Sequence, residues 1–277
     1  MTLQPTTRDP ITPDFLLDAL KAAAAAAAEV IRDGERRRGA LVWREKSATD
    51  FVSEVDMTAE ARIIALLTSR VPGAAILAEE TASTLAAERR TTGVTFVIDP
   101  LDGTTNFLHG VPEYAVSIAA LVDDELAAGV VLHVPRDEWF TATRGGGAWR
   151  DGQRIGVSAI DAPDRALIAT GFPFKGGHDV DLYLDQMRRL MTHTAGLRRP
   201  GSASLDLAGV ACGRFEGFWE NLLAPWDIAA GILLVREAGG LVTTLEGTPC
   251  PVAHTSVAAA NPAMHGWLLD RLSVGGE

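Results

Sequence analysis

The 277-residue chain is poor in cysteine and in positive charge. Its two cysteines, Cys212 and Cys250, match no zinc-site spacing and are too few for a disulfide framework, so we expect both to stay reduced. Lysine and arginine number 25 against 36 aspartate and glutamate residues, a formal net charge of −11. That balance argues against direct nucleic-acid binding as the main function. An anionic substrate would need positive charge supplied locally, as bound metal ions do.

The chain also lacks a long apolar segment. The alanine run at residues 22–28 is too short and too weakly apolar to cross a bilayer. The first eight residues do not have the basic-then-apolar order of a signal peptide. With 47% hydrophobic residues the composition is otherwise that of a globular protein. We therefore expect a soluble, cytoplasmic protein with no membrane partner.

The order of predicted elements indicates layered sheets covered by helices, because strands in mixed hairpins are followed by alternating strands and helices. We expect a flexible arm at residues 1–11 and a single domain at 12–277, with sub-halves of about 12–160 and 161–277. Local patterns predict a strand at 41–46, a loop at 47–53, a helix directly after Asp56 and a strand at 94–98.

The most informative segment is the run at residues 99–107, Asp-Pro-Leu-Asp-Gly-Thr-Thr-Asn-Phe. Asp99 and Asp102 follow a β-prone stretch, and carboxylates gathered at a strand end bind hard divalent cations through oxygen. The turn at Gly103 and Thr104 offers backbone N–H groups to an anion. An Asx-type turn would explain Asp-Pro or Asp-Gly alone, but it has no need of two carboxylates and two threonines. The run indicates metal-assisted phosphate chemistry.

Three further acidic residues sit at predicted ends of elements: Glu79, Asp227 and Asp56. Taken singly, each has an ordinary explanation as a solvated acid, a helix-dipole partner or an N-cap. Taken with the 99–107 run, they form a set of oxygen ligands without histidine or cysteine, which favours Mg²⁺ over zinc. Such ions can polarise phosphoryl oxygens and activate water.

Two long motifs, at residues 96–107 and 226–240, resemble the signatures of the inositol monophosphatase family of Mg²⁺-dependent, lithium-sensitive phosphatases. Shorter matches at 50–56, 79–80 and 201–208 follow in the family's order, so that the resemblance covers about 14–272. It implies a layered α+β or α/β fold, the alternating α-β-α-β-α sandwich of the sugar phosphatases. It also implies a homodimer that hydrolyses myo-inositol 1-phosphate and related polyol monophosphates.

The resemblance further implies two to three Mg²⁺ ions and their ligands. Glu79, Asp99 and the carbonyl of Leu101 would hold the first ion, and Asp99, Asp102 and Asp227 would hold the second. Glu79 would also help to hold a third ion.

For catalysis, the resemblance implies that the amides of Gly103 and Thr104 cradle the phosphate. Thr104, oriented by Asp56 and aided by Glu79, would position the attacking water for an in-line displacement without a phosphoenzyme.

On the substrate side, the resemblance implies that Glu220 accepts hydrogen bonds from substrate hydroxyls. Lys46 would lie in a loop over the metals. The wall around the sugar or polyol would be lined by Gly201, Ser202 and Ala203.

Two alternatives stay open. A histidinol-phosphate or fructose-1,6-bisphosphate phosphatase would share the metals and differ in the wall around Ser202, Glu220 and residues 172–175. The segments 199–208 and 213–220 also resemble bacterial members that bind the transcription antitermination machinery, which would make RNA polymerase a partner.

Overall fold

The structure is a computed structural model that describes residues 11–41, 44–47, 50–81, 93–173 and 179–273. The helices in these ranges are α1 (Pro13–Arg36), α2 (Glu54–Arg70), α3 (Thr104–His109), α4 (Val180–Met191), α5 (Ala203–Ala211), α6 (Pro225–Glu237) and α7 (Pro262–Leu272). The strands of the first half are β1 (Arg44–Ser47), β2 (Asp50–Val52), β3 (Ala75–Ala78), β4 (Val94–Asp102), β5 (Ala115–Val122), β6 (Glu125–His133), β7 (Glu138–Thr143), β8 (Gly147–Arg150) and β9 (Gln153–Arg154). Those of the second half are β10 (Leu167–Thr170), β11 (Gly196–Arg198), β12 (Gly217–Leu223), β13 (Leu241–Thr243) and β14 (Thr255–Ala260).

The strands form two large sheets and a hairpin. The larger sheet has seven strands in the order β3-β4-β5-β6-β7-β8-β9, antiparallel except for the parallel pair β3 and β4. The smaller sheet has five strands in the order β11-β10-β12-β14-β13, in which β10 runs parallel to both its neighbours. Strands β1 and β2 pair with each other.

Helices alternate with the two sheets in layers. Helices α1 and α2 cover one face of the seven-stranded sheet, and the alanine run of α1 allows close approach because its core-facing side chains are small and buried. Helices α5 and α6 lie between the sheets, and both are apolar nearly all round, as expected for a helix buried on every side. Helices α4 and α7 cover the outer face of the smaller sheet. This is the expected α-β-α-β-α arrangement.

Several local predictions need correction. Helix α2 begins at Glu54 rather than after Asp56, because Ser53 and Asp56 form a capping box that closes its first turn. The predicted loop at 47–53 contains β2, which pairs with β1 as a hairpin, whereas Lys46 lies in β1 within the predicted strand at 41–46. Strand β4 continues to Asp102 across a register shift between Asp99 and Asp102.

No described helix is long and apolar enough to cross a membrane.

Candidate active site

The acidic residues predicted from separate motifs meet in one cleft. Strand β3 ends beside Glu79, β4 carries Asp99 and Asp102, and the first turn of α6 carries Asp227. All four line the same cleft, together with Leu101, Thr104 and the wall residues described below. The parallel pairing of β3 with β4 explains part of this convergence, because it brings their carboxyl ends to one edge of the sheet.

Asp99 is the most deeply buried of these acids. It is 1% exposed, and its Oδ1 accepts a hydrogen bond from the Leu101 N–H at 3.0 Å. Burial raises the pKa of Asp99 well above its usual range, and repulsion from Glu79, Asp102 and Asp227 raises this pKa further. Ionised Asp99 would therefore be stabilised by a cation placed among these carboxylates.

Asp102 joins the two sheet layers. Its Oδ2 accepts three hydrogen bonds, from the Ser202 hydroxyl at 2.6 Å, the Ser204 hydroxyl at 2.6 Å and the Ser204 N–H at 2.8 Å. Burial raises the pKa of Asp102, and these three bonds oppose that rise. Because Oδ2 is held by the start of α5, the orientation of the whole carboxylate in the cleft is determined.

Asp227 is oriented by its own helix. Its Oδ2 accepts the N–H of Ala224 at 2.7 Å, which closes the first turn of α6 after Pro225. This is the helix-start role that its sequence context predicts. The same residue lines the cleft.

Thr104 is held by a buried carboxylate. Its Oγ1 lies 2.9 Å from Asp56 Oδ1 and 3.0 Å from the Leu101 carbonyl oxygen. The other oxygen of Asp56 accepts from the N–H and hydroxyl of Ser53 at 2.9 and 2.6 Å. Burial raises the pKa of Asp56, while these hydrogen bonds oppose the change. Asp56 thus links the start of α2 to the Thr104 hydroxyl.

Gly103 starts the short helix α3 in a left-handed conformation with φ of 94°. A β-carbon there would lie 2.8 Å from the Glu113 carbonyl oxygen, so both the conformation and the space favour glycine. The first-turn amides of α3 have no acceptor within the helix, which leaves them able to meet an anion.

The predicted substrate-side residues line the same cleft, as a wall that Ser202 joins to Asp102: Gly201, Ser202, Ala203 and Glu220. Glu220 lies in β12 just before a register shift in its pairing with β14. Its carboxylate packs directly over Gly171, where a β-carbon would come within 3.0 Å of it. The side chain of Lys46 lies outside the described residues.

Sequence reasoning placed Phe172 in this wall, within residues 172–175, but missed Arg199. Arg199 and Phe172 also line the cleft, and the Arg199 guanidinium lies 5.0 Å from the centre of the Phe172 ring. Asn106, a member of the 99–107 run, donates to the carbonyl oxygens of Glu113 at 2.7 Å and Pro200 at 2.9 Å. It therefore ties the 99–107 segment to the wall. Local sequence patterns could not reveal a contact between such distant segments.

The donor chemistry of the cleft fits a hard cation. Its acidic groups and the Leu101 carbonyl are oxygen donors of the kind that hard cations bind, and burial together with repulsion among the acids raises the pKa of Asp99. Across the described ranges, no group of three or more His, Cys, Asp or Glu side chains is already arranged to hold a metal ion. The carboxylates share one cleft without forming a closed cage.

Two solved bacterial structures share this fold. The extragenic suppressor protein suhB from Bartonella henselae is 39% identical and matches with a TM-score of 0.86, covering 94% of this chain and 99% of that one. The inositol monophosphatase from Anabaena (Nostoc) sp. PCC 7120 is 34% identical with a TM-score of 0.79, covering 94% and 95% of the two chains. The layered fold is thus that of the inositol monophosphatases.

Sequence comparisons agree with the fold. The model of the inositol monophosphatase family matches residues 13–274. The Nus factor SuhB of Pseudomonas aeruginosa is 46% identical over 235 residues, 84% of this chain and 86% of that protein. The inositol-1-monophosphatase of Rhizobium meliloti is 45% identical over 219 residues, 78% and 80% of the two chains. The chain belongs to the inositol monophosphatase family, and its activity is that of a phosphoric monoester hydrolase.

Proposed function

We propose that the protein hydrolyses myo-inositol 1-phosphate and related polyol monophosphates in a Mg²⁺-dependent reaction. The observation that carries this proposal is the meeting of Glu79, Asp99, Asp102 and Asp227 in one cleft with Thr104. The acids supply ligands for cations, and the Thr104 segment faces the same space. Phosphate and metal can therefore be held side by side.

The proposed ligands are those predicted from the family resemblance. Glu79, Asp99 and the Leu101 carbonyl would hold one Mg²⁺, and Asp99, Asp102 and Asp227 would hold a second, with Glu79 contributing to a third. When bound, Mg²⁺ would polarise the phosphoryl oxygens and offset the negative charge that the cleft and substrate share.

The chain's own residues position the reactants. The Thr104 hydroxyl has one proton, which it can donate either to Asp56 or to the Leu101 carbonyl, so its lone pairs remain able to accept from a water. With Glu79 as a second acceptor, that water would be oriented toward phosphorus while the amides of Gly103 and Thr104 hold the phosphoryl oxygens. The new P–O bond forms as the bond to the alcohol breaks, in line and without a phosphoenzyme.

Glu220 supplies the preference for polyols. As an acceptor in the lining of the same cleft, its carboxylate would take hydrogen bonds from substrate hydroxyls next to the ester. Ser202 and the backbone of Gly201 and Ala203 would complete this wall.

Steady-state kinetics over a substrate panel test the proposal. With Mg²⁺ present, myo-inositol 1-phosphate should be turned over with a higher kcat/KM than histidinol phosphate or fructose 1,6-bisphosphate. A large advantage for either of those compounds would reassign the substrate, and the absence of inositol-phosphate turnover would refute it. The family resemblance also predicts inhibition when LiCl is added to the same assay.

A second function is favoured by the relatives named Nus factor SuhB, of which one is 46% identical. We propose that this protein also associates with the transcription machinery of its cell. A pull-down with RNA polymerase tests this, using wild type and the turnover-deficient Asp99→Asn variant. Equal capture of both would support a binding role separate from catalysis, and no capture of either would refute it.

We also propose a homodimer, and helix α4 supports this. Val180, Leu184 and Met191 lie on one face of α4 and are exposed. Asp181 is in the first turn and Arg188 in the last, so two antiparallel copies of α4 would place opposite charges together. Sedimentation should report a dimer that Leu184→Asp converts to monomer; a monomeric wild type at micromolar concentration would contradict this.

A further inference from the structure

Helix α2 contacts the two loops that carry the candidate site. Asp56, in its first turn, reaches Thr104 after β4, with 2.9 Å between Oδ1 and Oγ1. Glu60, one turn later, reaches the segment after β3, where its Oε2 accepts the N–H of Glu80 at 2.8 Å. Residues four apart project from the same face of a helix. One helix face therefore touches both segments that supply Glu79 and Thr104.

The backbone around Glu79 needs a second anchor because of where β3 lies. Strand β3 is the outer strand of the seven-stranded sheet, with β4 as its one strand neighbour in the described part of the chain. The Glu79 N–H is paired with the Ile98 carbonyl oxygen at 3.1 Å. The following peptide, between Glu79 and Glu80, is held from the helix side by Glu60. Both peptide groups that flank the Glu79 side chain are thus fixed.

Glu60 is buried, and a buried carboxylate without a specific role would destabilise the fold. Its side chain lies within the protein at 2% exposure. A buried carboxylate is costly unless hydrogen bonds satisfy its oxygens, and a methylene-rich side chain would pack there without that cost. The Glu60 carboxylate instead accepts a hydrogen bond from the backbone next to Glu79, a proposed metal ligand.

We propose that Glu60 is a positioning residue for Glu79, setting the orientation in which this carboxylate meets the cation. The inference rests on the proposed metal-dependent function. Residues that orient metal ligands typically change metal affinity by about 10- to 100-fold when removed. Glu60 would act by this route, without touching substrate.

Binding of Mn²⁺ to metal-stripped protein tests the proposal, because this ion also prefers carboxylate oxygen and is readily measured. Glu60→Met keeps the length and packing of the side chain but removes the acceptor, and should raise the Mn²⁺ dissociation constant about 10- to 100-fold. Glu60→Gln keeps an acceptor oxygen and should stay within about threefold of wild type. Glu54→Met, which replaces an exposed acid of the same helix, is the matched control and should bind as wild type does.

A double-mutant cycle separates positioning from general destabilisation. In a Glu79→Gln background, Glu60→Met should weaken Mn²⁺ binding no further, and an equal further loss would overturn the proposal. Unchanged binding by folded Glu60→Met would overturn it as well. If wild type binds no Mn²⁺, the proposed function fails and this inference with it.

Hydrogen exchange provides a readout that needs no metal. In wild type the amide of Glu80 should be protected at least about tenfold relative to the unfolded chain, and Glu60→Met should remove most of that protection. An unprotected Glu80 amide in wild type would overturn the proposal even if Glu60→Met did not fold.

Discussion

A single methyl group at Gly171 should separate polyol recognition from phosphate chemistry. The Glu220 carboxylate lies directly over the Gly171 α-carbon, and a β-carbon there would come within 3.0 Å of it. Gly171 does not need a left-handed backbone, so Gly171→Ala introduces crowding without backbone strain. Because the atoms it meets are the end of a flexible side chain, the fold should tolerate the change while the carboxylate moves.

The size of the effect follows from the contact that is lost. A displacement of about 1 Å in a positioning group can cost about 100-fold. A hydrogen bond to a charged group contributes about 1.5–3 kcal/mol. At about 1.4 kcal/mol per factor of ten, we expect kcat/KM for myo-inositol 1-phosphate to fall about 10- to 100-fold.

The assay compares two substrates in Gly171→Ala and wild type. A phosphate ester without neighbouring hydroxyls, such as p-nitrophenyl phosphate, should lose less than about threefold, since the Glu220 contact is absent from its transition state. Gly39→Ala, where a β-carbon meets no atom within 4 Å, is the control and should behave as wild type. If inositol-phosphate turnover by Gly171→Ala stays within twofold of wild type, the reasoning about Glu220 is refuted.

Three further substitutions test other parts of the account. Asp99→Asn should abolish turnover, and activity within about tenfold of wild type would contradict the ligand role. The same change should not lower the melting temperature of metal-free protein, because it relieves the repulsion of Asp99 by its acidic neighbours. Asp206 is buried, its Oδ1 has no hydrogen-bond partner among the described residues, and burial raises its pKa well above the usual range. The native state therefore holds the Asp206 proton more tightly than the unfolded state does, so the stability that this protonation contributes is lost as the pH rises above the ordinary aspartate pKa of 3.8. In urea unfolding, the free energy of unfolding of Asp206→Asn should exceed that of wild type at pH 7–8, and the difference should shrink toward pH 4. A difference that does not depend on pH would refute the raised pKa of Asp206. Gly266→Ala, in the exposed middle of α7 with no atom within 4 Å of its β-carbon, should stabilise the fold by about 0.5–1 kcal/mol in the same experiment, and a loss would contradict this.

The acidic residues could be predicted from sequence because each stands at the end of a strand or the start of a helix. Periodicity and capping signals locate such ends well, and the meeting of Glu79, Asp99 and Asp227 at one cleft follows from these positions. The predicted end of β4 was wrong. The strand continues to Asp102 across a register shift that depends on its pairing with β5. A neighbouring strand is not visible in a local pattern.

Contacts between distant segments account for what sequence reasoning missed. Ser204 holds Asp102 from 102 residues away, and Asn106 holds the Pro200 carbonyl from 94 residues away. Gly171 was overlooked because its importance lies in the side chain that packs over it. Such contacts are created when the two sheets stack, and no residue pattern within either segment encodes them.

The central claim is that the carboxylates of the cleft hold Mg²⁺ for the hydrolysis of a polyol phosphate. Its most direct test is phosphate release from myo-inositol 1-phosphate by metal-stripped protein during a Mg²⁺ titration, with wild type and Asp227→Asn side by side. The account predicts no release without metal, saturable activation of wild type, and no activation of Asp227→Asn at the same concentrations. Equal turnover in the presence of a chelator, or normal activation of Asp227→Asn, would contradict it.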